Sequence, residues 1–217
     1  LITGGAGFIG SNLALKLIEK GYKVTVLDNL SPQIHTSNSP LYDSIKDKVR
    51  FIKGTVLSYD DWKNALEEID VVVHLAAETG TGQSMYEIEK YTDVNIKGTS
   101  IFLDILANEK HSVKKMIVAS SRAIYGEGKY ECSSCGIVYP NERKDEDMSK
   151  GDFTIKCPTC TANAKLLATD ENSKIHPSSI YGITKQVQEQ MFMVMGKTLN
   201  IPALAFRYQN VYGAGQS

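Results

Sequence analysis

The chain of 217 residues has a formal net charge of −1 at pH 7, and 42% of its residues are hydrophobic and 23% charged. This composition is typical of a folded protein with a real core, and the length allows one large domain or one and a half. The near-neutral charge gives no electrostatic case for nucleic acid or an anionic membrane, and with neither a long apolar run nor a charged-then-apolar leader, we expect a cytoplasmic protein.

A glycine-rich turn opens the chain. Gly4, Gly7 and Gly10 follow a short apolar run that looks like the end of a strand, and they lead into an amphipathic stretch over 8–20. A turn of this kind between strand and helix lets a pyrophosphate bind backbone N–H groups at the positive end of the helix. The glycines alone are a weak signal, so the rest of the chain must show whether a nucleotide is bound.

A second strand is predicted over 23–27, and it ends at Asp28. This acid lies 18 residues after Gly10, about where the dinucleotide fold places a carboxylate on the ribose hydroxyls of NAD. Its charge would repel the additional phosphate of NADP. The alternative is a surface aspartate at a strand end, but the glycines upstream favour the ribose role.

Further strands and helices alternate along the chain. We predict a loop and short helix over 31–48, strands over 49–53, 70–77, 113–121 and 201–208, and helices over 59–68 with Ser58 as N-cap, over 83–109 with a break near Tyr91, and over 177–197. This alternation predicts an α/β fold with a doubly wound (Rossmann), mostly parallel sheet. His74, inside a predicted strand, is expected to be a packed core residue.

The binding crevice of such a sheet lies beyond the carboxyl ends of its strands. The glycine turn and several polar or small residues fall at such ends, namely Asp28, Ala76, Ala77, Ser120, Ser121 and the segment 208–210. Their convergence predicts one site at this edge of the sheet.

Tyr181 and Lys185 share one face of a predicted helix, because they are four residues apart. A free phenol has a pKa of about 10 and is a poor base at neutral pH. An adjacent ammonium, and an oxidised nicotinamide, would favour the phenolate and so produce a general base. Ser121 could hydrogen-bond the same substrate hydroxyl and relay its proton. The alternative is a surface Tyr–Lys pair, which the glycine turn and the strand-end serine disfavour.

All four cysteines lie in one stretch, as Cys132 with Cys135 and Cys157 with Cys160, and 21 residues separate the two pairs. Two C-x-x-C knuckles resemble a zinc-ribbon site, and Gly136 suits the turn after the first. A reducing cytoplasm favours a metal over two disulfides, and four thiolates leave no open position for catalysis. We therefore expect structural zinc. The charge run over 141–150 is most simply a solvated face.

Taken together, these motifs resemble the extended short-chain dehydrogenase/reductase family, the NAD-dependent sugar-nucleotide epimerases and dehydratases. The resemblance spans nearly the whole chain, over 3–10, 28–30, 74–77, Asn95 with 98–99, 120–126, Tyr181 with Lys185, and 207–213. It implies a Rossmann domain in two parts, 1–128 and 174–217, around an inserted zinc-binding subdomain at 129–173. It also implies a C-terminal substrate lobe largely absent from this chain, which would then be a fragment, and a homodimer built on helices that flank the sheet.

The resemblance implies that Tyr181 is the base, that Lys185 also holds the nicotinamide ribose, and that Ser121 contacts the sugar. The implied cofactor-binding residues are Gly4, Gly7, Phe8, Ile9, Gly10, Asp28, Asn29, Thr55, Val56, Leu75, Ala76, Ala77, Asn95, Ala119, Tyr181, Lys185, Tyr208 and Val211. The implied substrate-binding residues are Thr79, Ser121, Arg122, Tyr181 and Asn210.

Two departures from the family pattern bear on the reaction. Arg122 and Ala123 stand where the 4,6-dehydratases carry Asp-Glu, which disfavours dehydration. Thr55 stands where many members carry an aspartate, which affects only the adenine contact.

The reaction implied is epimerisation at carbon 4 of a dTDP- or UDP-hexose. Tyr181 would take the hydroxyl proton while hydride passes to NAD, and hydride would return to the other face of the ketone, so that NAD is retained. The segments 76–85 and 207–213 look most similar to a bacterial subgroup that includes dTDP-L-rhamnose 4-epimerase and also carries an insertion. The alternatives are a reductase, decarboxylase or dehydratase of the same family, or a non-catalytic protein whose zinc ribbon binds nucleic acid or a partner.

Overall fold

The computed structural model describes residues 1–35 and 39–216. Six of its strands form one sheet, and all of their pairings are parallel. They are β1 (Ile2–Thr3), β2 (Thr25–Asp28), β3 (Arg50–Lys53), β4 (Val71–His74), β5 (Lys115–Ser121) and β9 (Ala203–Tyr208). Their order across the sheet is β3-β2-β1-β4-β5-β9. Residues 36–38 of the loop predicted after β2 lie outside the described residues.

Helices connect the strands and confirm the doubly wound α/β prediction. They are α1 (Phe8–Glu19), α2 (Pro40–Ile45), α3 (Tyr59–Ala65), α4 (Thr81–Ser84), α5 (Ile88–Thr92), α6 (Gly98–Asn108), α7 (Asp145–Met148) and α8 (Ile180–Thr198). Ser58 caps α3 as predicted, since its hydroxyl accepts the N–H of Asp61 at 3.1 Å, and Ser179 caps α8 in the same way through Gly182. In the described part of the chain, no helix has the length and apolar character needed to cross a membrane.

The long helix predicted over 83–109 is divided into several pieces. A gap separates α4 from α5, and a π-helical turn (Asp93–Lys97) joins α5 to α6. Tyr91, near which the break was expected, is buried, and its hydroxyl donates to the carbonyl oxygen of Thr79 at 2.5 Å. π-Turns of this kind frequently occur at functional sites, because the extra residue changes the direction of the side chains around it.

The core has one hydrophobic layer on each face of the sheet. The larger layer packs α3, α6 and α8 against β4 and β5, and its centre is an aromatic cluster in which Trp62 stacks on Phe102 with ring centroids 4.8 Å apart. The smaller layer packs α1 and α2 against β1 and β2. His74 is fully buried beside the aromatic cluster of the larger layer, with its ring centroid 5.7 Å from that of Phe192. It is therefore packed in the core, as predicted.

A second, antiparallel sheet lies between β5 and α8 in the chain. Its strands are β6 (Tyr130–Cys132), β7 (Gly136–Val138) and β8 (Lys165–Leu166), in the order β7-β6-β8. Tyr130, Val138 and Ile155 form a small core of its own together with two of the cysteines. The N–H of Leu167 donates to the carbonyl oxygen of Lys129 at 3.0 Å, so the segment begins and ends at one place. The domain boundaries at 128/129 and 173/174 stay a prediction.

Candidate functional site

A cleft of about 1340 Å³ runs along the carboxyl ends of the parallel strands. It begins at the turn between β1 and α1, passes the ends of β2 and β4, and reaches the end of β5 and the start of α8. Every residue that the sequence predicts for the cofactor or the substrate lines this cleft, except Asn95. The structure therefore brings these residues together at the expected edge of the sheet.

Gly4 and Gly10 are tightly enclosed in the glycine turn, whereas Gly7 is not. Gly4 has a φ of +66°, and a Cβ there would lie 2.8 Å from the backbone nitrogen of Ala76 at the end of β4. A Cβ on Gly10 would lie 2.5 Å from the carbonyl oxygen of Gly4. A Cβ on Gly7 would meet nothing nearer than 3.4 Å. Gly4 and Gly10 thus permit the packing of the turn, while Gly7 leaves the first turn of α1 open to the cleft.

Asp28 binds the glycine turn as well as facing the cleft. One carboxylate oxygen accepts the N–H of Ala6 at 2.9 Å, and the other accepts the N–H of Leu30 at 2.9 Å. His35 Nε2 lies 3.6 Å from this second oxygen. The side chain is 6% exposed, so Asp28 is not a surface aspartate. A carboxylate has about four lone-pair sites, and the sites not used by the backbone remain for a ligand.

Tyr181 lies in the first turn of α8, next to the end of β5. It lines the cleft together with Ser121, whose hydroxyl is close enough to influence the phenol, and its backbone N–H donates to Ser84 Oγ at 3.0 Å. Burial raises the pKa of Tyr181, and the nearby hydroxyl of Ser121 opposes that rise. In the ligand-free chain the phenol is therefore protonated at neutral pH, and a nearby positive charge would be needed to make it a base.

Lys185 is buried one turn after Tyr181, and its ammonium donates to Gln188 Oε1 at 2.5 Å. Burial lowers the pKa of Lys185 to about 7, because the charged form loses its hydration. Gln188 is fully buried and was missed in the sequence. A polar residue three positions after the lysine, on the same helical face, was the available signal.

Asn95 is fully buried and is not among the residues that line the cleft, so its role in binding the cofactor stays a prediction. Its amide nitrogen donates to the carbonyl oxygen of Glu78 at 3.1 Å and to Thr184 Oγ1 at 3.0 Å, and its amide oxygen accepts the N–H of Glu78 at 2.8 Å. The π-turn directs Asn95 into the protein, where it ties the segment after β4 to α8. Asn95 thus supports the wall of the cleft from behind.

A polar strap of Gln33, Gln83 and Lys90 lies beside the cleft, and Gln33 lines the cleft itself. Gln33, in the segment after β2, donates to Gln83 Oε1 at 2.9 Å, and the Lys90 ammonium donates to Gln33 Oε1 at 3.0 Å. These contacts join residues that are 50 or more positions apart in the chain. No sequence pattern predicts these contacts, because surface glutamines can pair with many partners.

The inserted segment contributes to the opposite end of the cleft. Arg143 and Glu142 line it together with Glu127 and Arg122. Arg143 donates to both carboxylate oxygens of Glu127, at 3.1 and 3.0 Å, and to the carbonyl oxygen of Phe153 at 2.9 Å. The charge run over 141–150 is largely exposed, as predicted, but two of its members also form part of the cleft wall.

The four cysteines come together in the inserted segment. Their sulfur atoms all lie within 4.8 Å of one another, and the sulfurs of Cys132 and Cys160 are 3.4 Å apart, too far for a disulfide bond of about 2.05 Å. A tetrahedral zinc with Zn–S bonds of about 2.3 Å places its sulfurs about 3.8 Å apart. Gly136 and Thr161, which follow the two knuckles, share a positive φ, of +72° and +62°. Two similar turns thus bring four thiols close enough together to hold one metal ion.

Comparison with known proteins gives a consistent family of relatives. The profile of the NAD dependent epimerase/dehydratase family matches residues 1–146 and 156–217. The chain is 34% identical over its whole length to a dTDP-L-rhamnose 4-epimerase from Burkholderia thailandensis, of which it covers 59%.

Among solved structures, the UDP-glucose 4-epimerase of Thermotoga maritima with UDP-glucose superposes with a TM-score of 0.73 at 29% identity; the match covers 100% of this chain and 57% of that one. The UDP-glucuronic acid 4-epimerase of Bacillus cereus, in complex with UDP-glucuronic acid and NAD, gives a TM-score of 0.73 at 27% identity, over 99% of this chain and 57% of the other. The chain thus spans little more than half the length of these relatives.

Alanine substitutions at Gly10 and Gly7 should separate the two roles of the glycine turn. We expect Gly10→Ala to lower the free energy of unfolding by about 2 kcal/mol, because an overpacking cost of up to about 3 kcal/mol exceeds a gain of about 1 kcal/mol in helix propensity. Gly7→Ala should cost less than about 1 kcal/mol, the loss of a favourable N-cap residue. Urea unfolding followed by circular dichroism measures both. Equal stability of the two variants would contradict the packing described for Gly10.

Proposed function

Since the chain belongs to the NAD dependent epimerase/dehydratase family, we propose that the protein interconverts nucleotide-diphosphate hexoses that differ in configuration at carbon 4. The observation that carries the proposal is the placement of Ser121, Tyr181 and Lys185 together in one cleft, which begins at an open helix N-terminus. The 4-epimerases among the similar proteins support it. An assay with both dTDP- and UDP-linked hexoses distinguishes the two nucleotides.

The cleft suits NAD for two reasons. The uncrowded Gly7 leaves backbone N–H groups of α1 available to a pyrophosphate, and the buried carboxylate of Asp28 faces the position of a ribose. Its negative charge would disfavour the extra phosphate of NADP. When bound, NAD supplies the acceptor and then the donor of a hydride at the sugar carbon. The strap formed by Gln33, Gln83 and Lys90 would hinder release of the adenosine end, which fits a cofactor that is kept between turnovers.

Tyr181 would act as the general base and then as the general acid. Its phenolate takes the proton of the sugar hydroxyl, and the phenol returns a proton to the same oxygen when the ketone is reduced from its other face. Ser121 would hold that oxygen through its hydroxyl. The charged ammonium of Lys185 favours the phenolate, since an opposite charge nearby lowers the pKa of a phenol. Lys185 would also bind the nicotinamide ribose.

The residues after β5 favour epimerisation over water elimination. Arg122 and Ala123 directly follow Ser121 in a short 3₁₀ helix (Arg122–Tyr125), and neither supplies an acid. The next carboxylate in the chain, Glu127, is paired with Arg143. A reductase, decarboxylase or dehydratase of the same family remains the alternative, and net consumption or release of NADH would reveal a net redox reaction.

We also propose that the four cysteines bind one structural zinc ion. Four thiolates fill a tetrahedral shell and leave no position for a substrate or water. The metal would replace the large core that so short a segment lacks. Because Arg143 and Glu142 belong to the same segment, the zinc would also fix one wall of the cleft. A nucleic-acid role for this ribbon would require a salt-dependent mobility shift with DNA or RNA.

A homodimer is proposed through α6 and α8. An apolar groove between these helices is lined by Leu103, Met191, Val194 and Met195, and Val194 is 62% exposed. Helix pairs with exposed apolar faces of this kind pack readily against a second copy.

The cytoplasmic location stays a prediction from composition.

Tyr181→Phe should abolish interconversion of nucleotide hexoses. We expect the rate to fall by a factor of at least about 100, because general acid–base catalysis contributes 10²- to 10⁴-fold. The full-length gene product is incubated with dTDP- and UDP-linked hexoses without added cofactor, and epimers are separated by chromatography. Tyr22→Phe, at a tyrosine exposed outside the cleft, is the matched control. Turnover by Tyr181→Phe within about tenfold of the wild type would refute the proposed base.

Metal analysis tests the zinc proposal. Protein purified without chelators should contain about one zinc per chain, and Cys157→Ser should lose most of it. Ser134→Ala, which changes a residue between two of the cysteines, should keep the full content. Plasma mass spectrometry measures the metal. A wild-type protein without zinc, or a Cys157→Ser variant that retains it, would contradict the proposed site.

Val194→Arg should give a monomer, because a charge placed in the apolar groove between α6 and α8 would have to be desolvated in a dimer. Size-exclusion chromatography with light scattering measures the mass. Ile137→Arg changes an exposed residue of the inserted sheet and should leave the dimer intact. A monomeric wild type, or a dimeric Val194→Arg variant, would overturn this interface.

A further inference from the structure

A chain of buried side chains connects the glycine turn to Lys185. Thr3 Oγ1 lies 2.7 Å from His74 Nδ1, and His74 Nε2 lies 3.2 Å from Thr99 Oγ1. Gln188 Nε2 donates to Thr99 Oγ1 at 2.8 Å, and its Oε1 accepts the ammonium of Lys185. All five side chains are at most 2% exposed. From this arrangement we infer that Gln188 is a positioning residue for Lys185, held in place by the chain through Thr99 and His74; the inference rests on the proposed function.

The orientation of each group in this chain follows from the hydrogen-bond inventory. Thr99 spends its single hydroxyl proton on the carbonyl oxygen of Asn95, at 2.7 Å. Its oxygen can therefore only accept from His74 and from Gln188. The amide nitrogen of Gln188 must then face Thr99, which leaves its amide oxygen to face Lys185. An otherwise ambiguous glutamine is thus fixed by its neighbours.

The same reasoning fixes the tautomer of His74. Its Nε2 carries the proton, because Thr99 accepts there, and its Nδ1 accepts the hydroxyl proton of Thr3. Burial lowers the pKa of His74 to about 3, and the nearby Lys185 adds to this effect. The ring is therefore neutral at any pH at which the protein works. Thr3 Oγ1 also accepts the N–H of Ala76 at 3.2 Å, so the chain begins at the two backbone segments that form the cleft.

Gln188 supplies what a buried ammonium needs. Among the described residues, its oxygen is the one hydrogen-bond acceptor that Lys185 reaches, and a buried charge without an acceptor is strongly disfavoured. Tyr181 on α8 and His74 on β4 are the titratable groups that face Lys185, and both are uncharged in the ligand-free chain at neutral pH. The hydrogen bond from the ammonium to Gln188 Oε1 thus favours the charged form of Lys185 against the desolvation that opposes it.

Gln188 also determines where the ammonium lies. It follows Lys185 by three positions, whereas Tyr181 precedes it by four, so all three share one helical face, and the hydrogen bond to Gln188 fixes the ammonium on it. A charged lysine held in this way is available to the phenol when the ribose is bound. Without Gln188, the ammonium would lose both its anchor and part of its charge.

The first test follows the charge of Lys185 itself. The full-length gene product is labelled with [ε-¹³C]lysine, and the ε-carbon signal, assigned with Lys185→Arg, is titrated by NMR. Gln188→Leu should lower the titration midpoint of Lys185 by about one pH unit or more, and Gln188→Glu should raise it by a similar amount. Gln186→Leu, at a partly exposed glutamine of the same helix, should leave the midpoint unchanged.

The second test is the pH profile of turnover. In Gln188→Leu the acidic limb of the kcat profile should move upward by about one pH unit, because an uncharged lysine no longer favours the phenolate of Tyr181. KM should change by less than about threefold, since Gln188 does not line the cleft. A merely structural glutamine would lower the melting temperature without moving this limb.

The outcomes separate this inference from the proposed function. If Gln188→Leu and Gln188→Glu leave the Lys185 midpoint in place, or move it in the same direction, the positioning role is refuted. If Gln188→Leu fails to fold, Gln188→Glu alone decides, through the upward shift it must produce. The titration requires no substrate, so an inactive wild type would refute the epimerase while the result for Gln188 still stands or falls by itself.

Discussion

The carboxylate of Asp28 and the backbone at Ala76 contact the glycine turn from two sides. The shape of the cleft depends on these two contacts. Asp28 accepts the N–H of Ala6 from the end of β2, while the absence of a side chain on Gly4 lets the end of β4 approach the turn. α1 can then begin at Phe8 with its first N–H groups directed at the cleft. The acid expected to select the cofactor also maintains the loop that would bind it, so recognition and folding depend on the same residue.

The interior between β4, α6 and α8 combines a polar chain with an aromatic cluster. Thr3, His74, Thr99 and Gln188 pass through a region where Trp62, Phe102 and Phe192 exclude water. An unsatisfied polar group in such surroundings costs about 1–3 kcal/mol, so each member limits the positions of the next. The core thereby holds Lys185 in a single arrangement, by the same packing that stabilises the sheet.

The sequence was sufficient for the architecture and for most of the cleft, because both depend on local patterns. Short apolar runs that alternate with helical patterns predict the strands. Because the strands are parallel, their carboxyl ends lie at one edge of the sheet. What the sequence does not show is the set of contacts between residues that are far apart in the chain. Asn95 turns inward because a π-turn adds a residue to the helix, and Gln188 resembles any other glutamine until its partner Thr99, far away in the chain, is brought against it. Helix ends shifted by a few residues for the same reason, since packing decides where each one stops.

The backbone hydrogen bond between Lys129 and Leu167 brings the two ends of the inserted segment together, as an insertion into an existing fold requires. The inserted segment is folded and its two ends meet, so it joins β5 to α8 at about the entropic cost of a short loop. Its own small core and cysteine cluster make it a separate structural unit. Such a unit can be inserted, removed or exchanged without changing the register of β5 and β9, because it connects to the rest of the chain at one place. Because Arg143 belongs to this segment, an exchange would also replace one wall of the cleft, while the strands and helices that form the rest of the cleft stay unchanged.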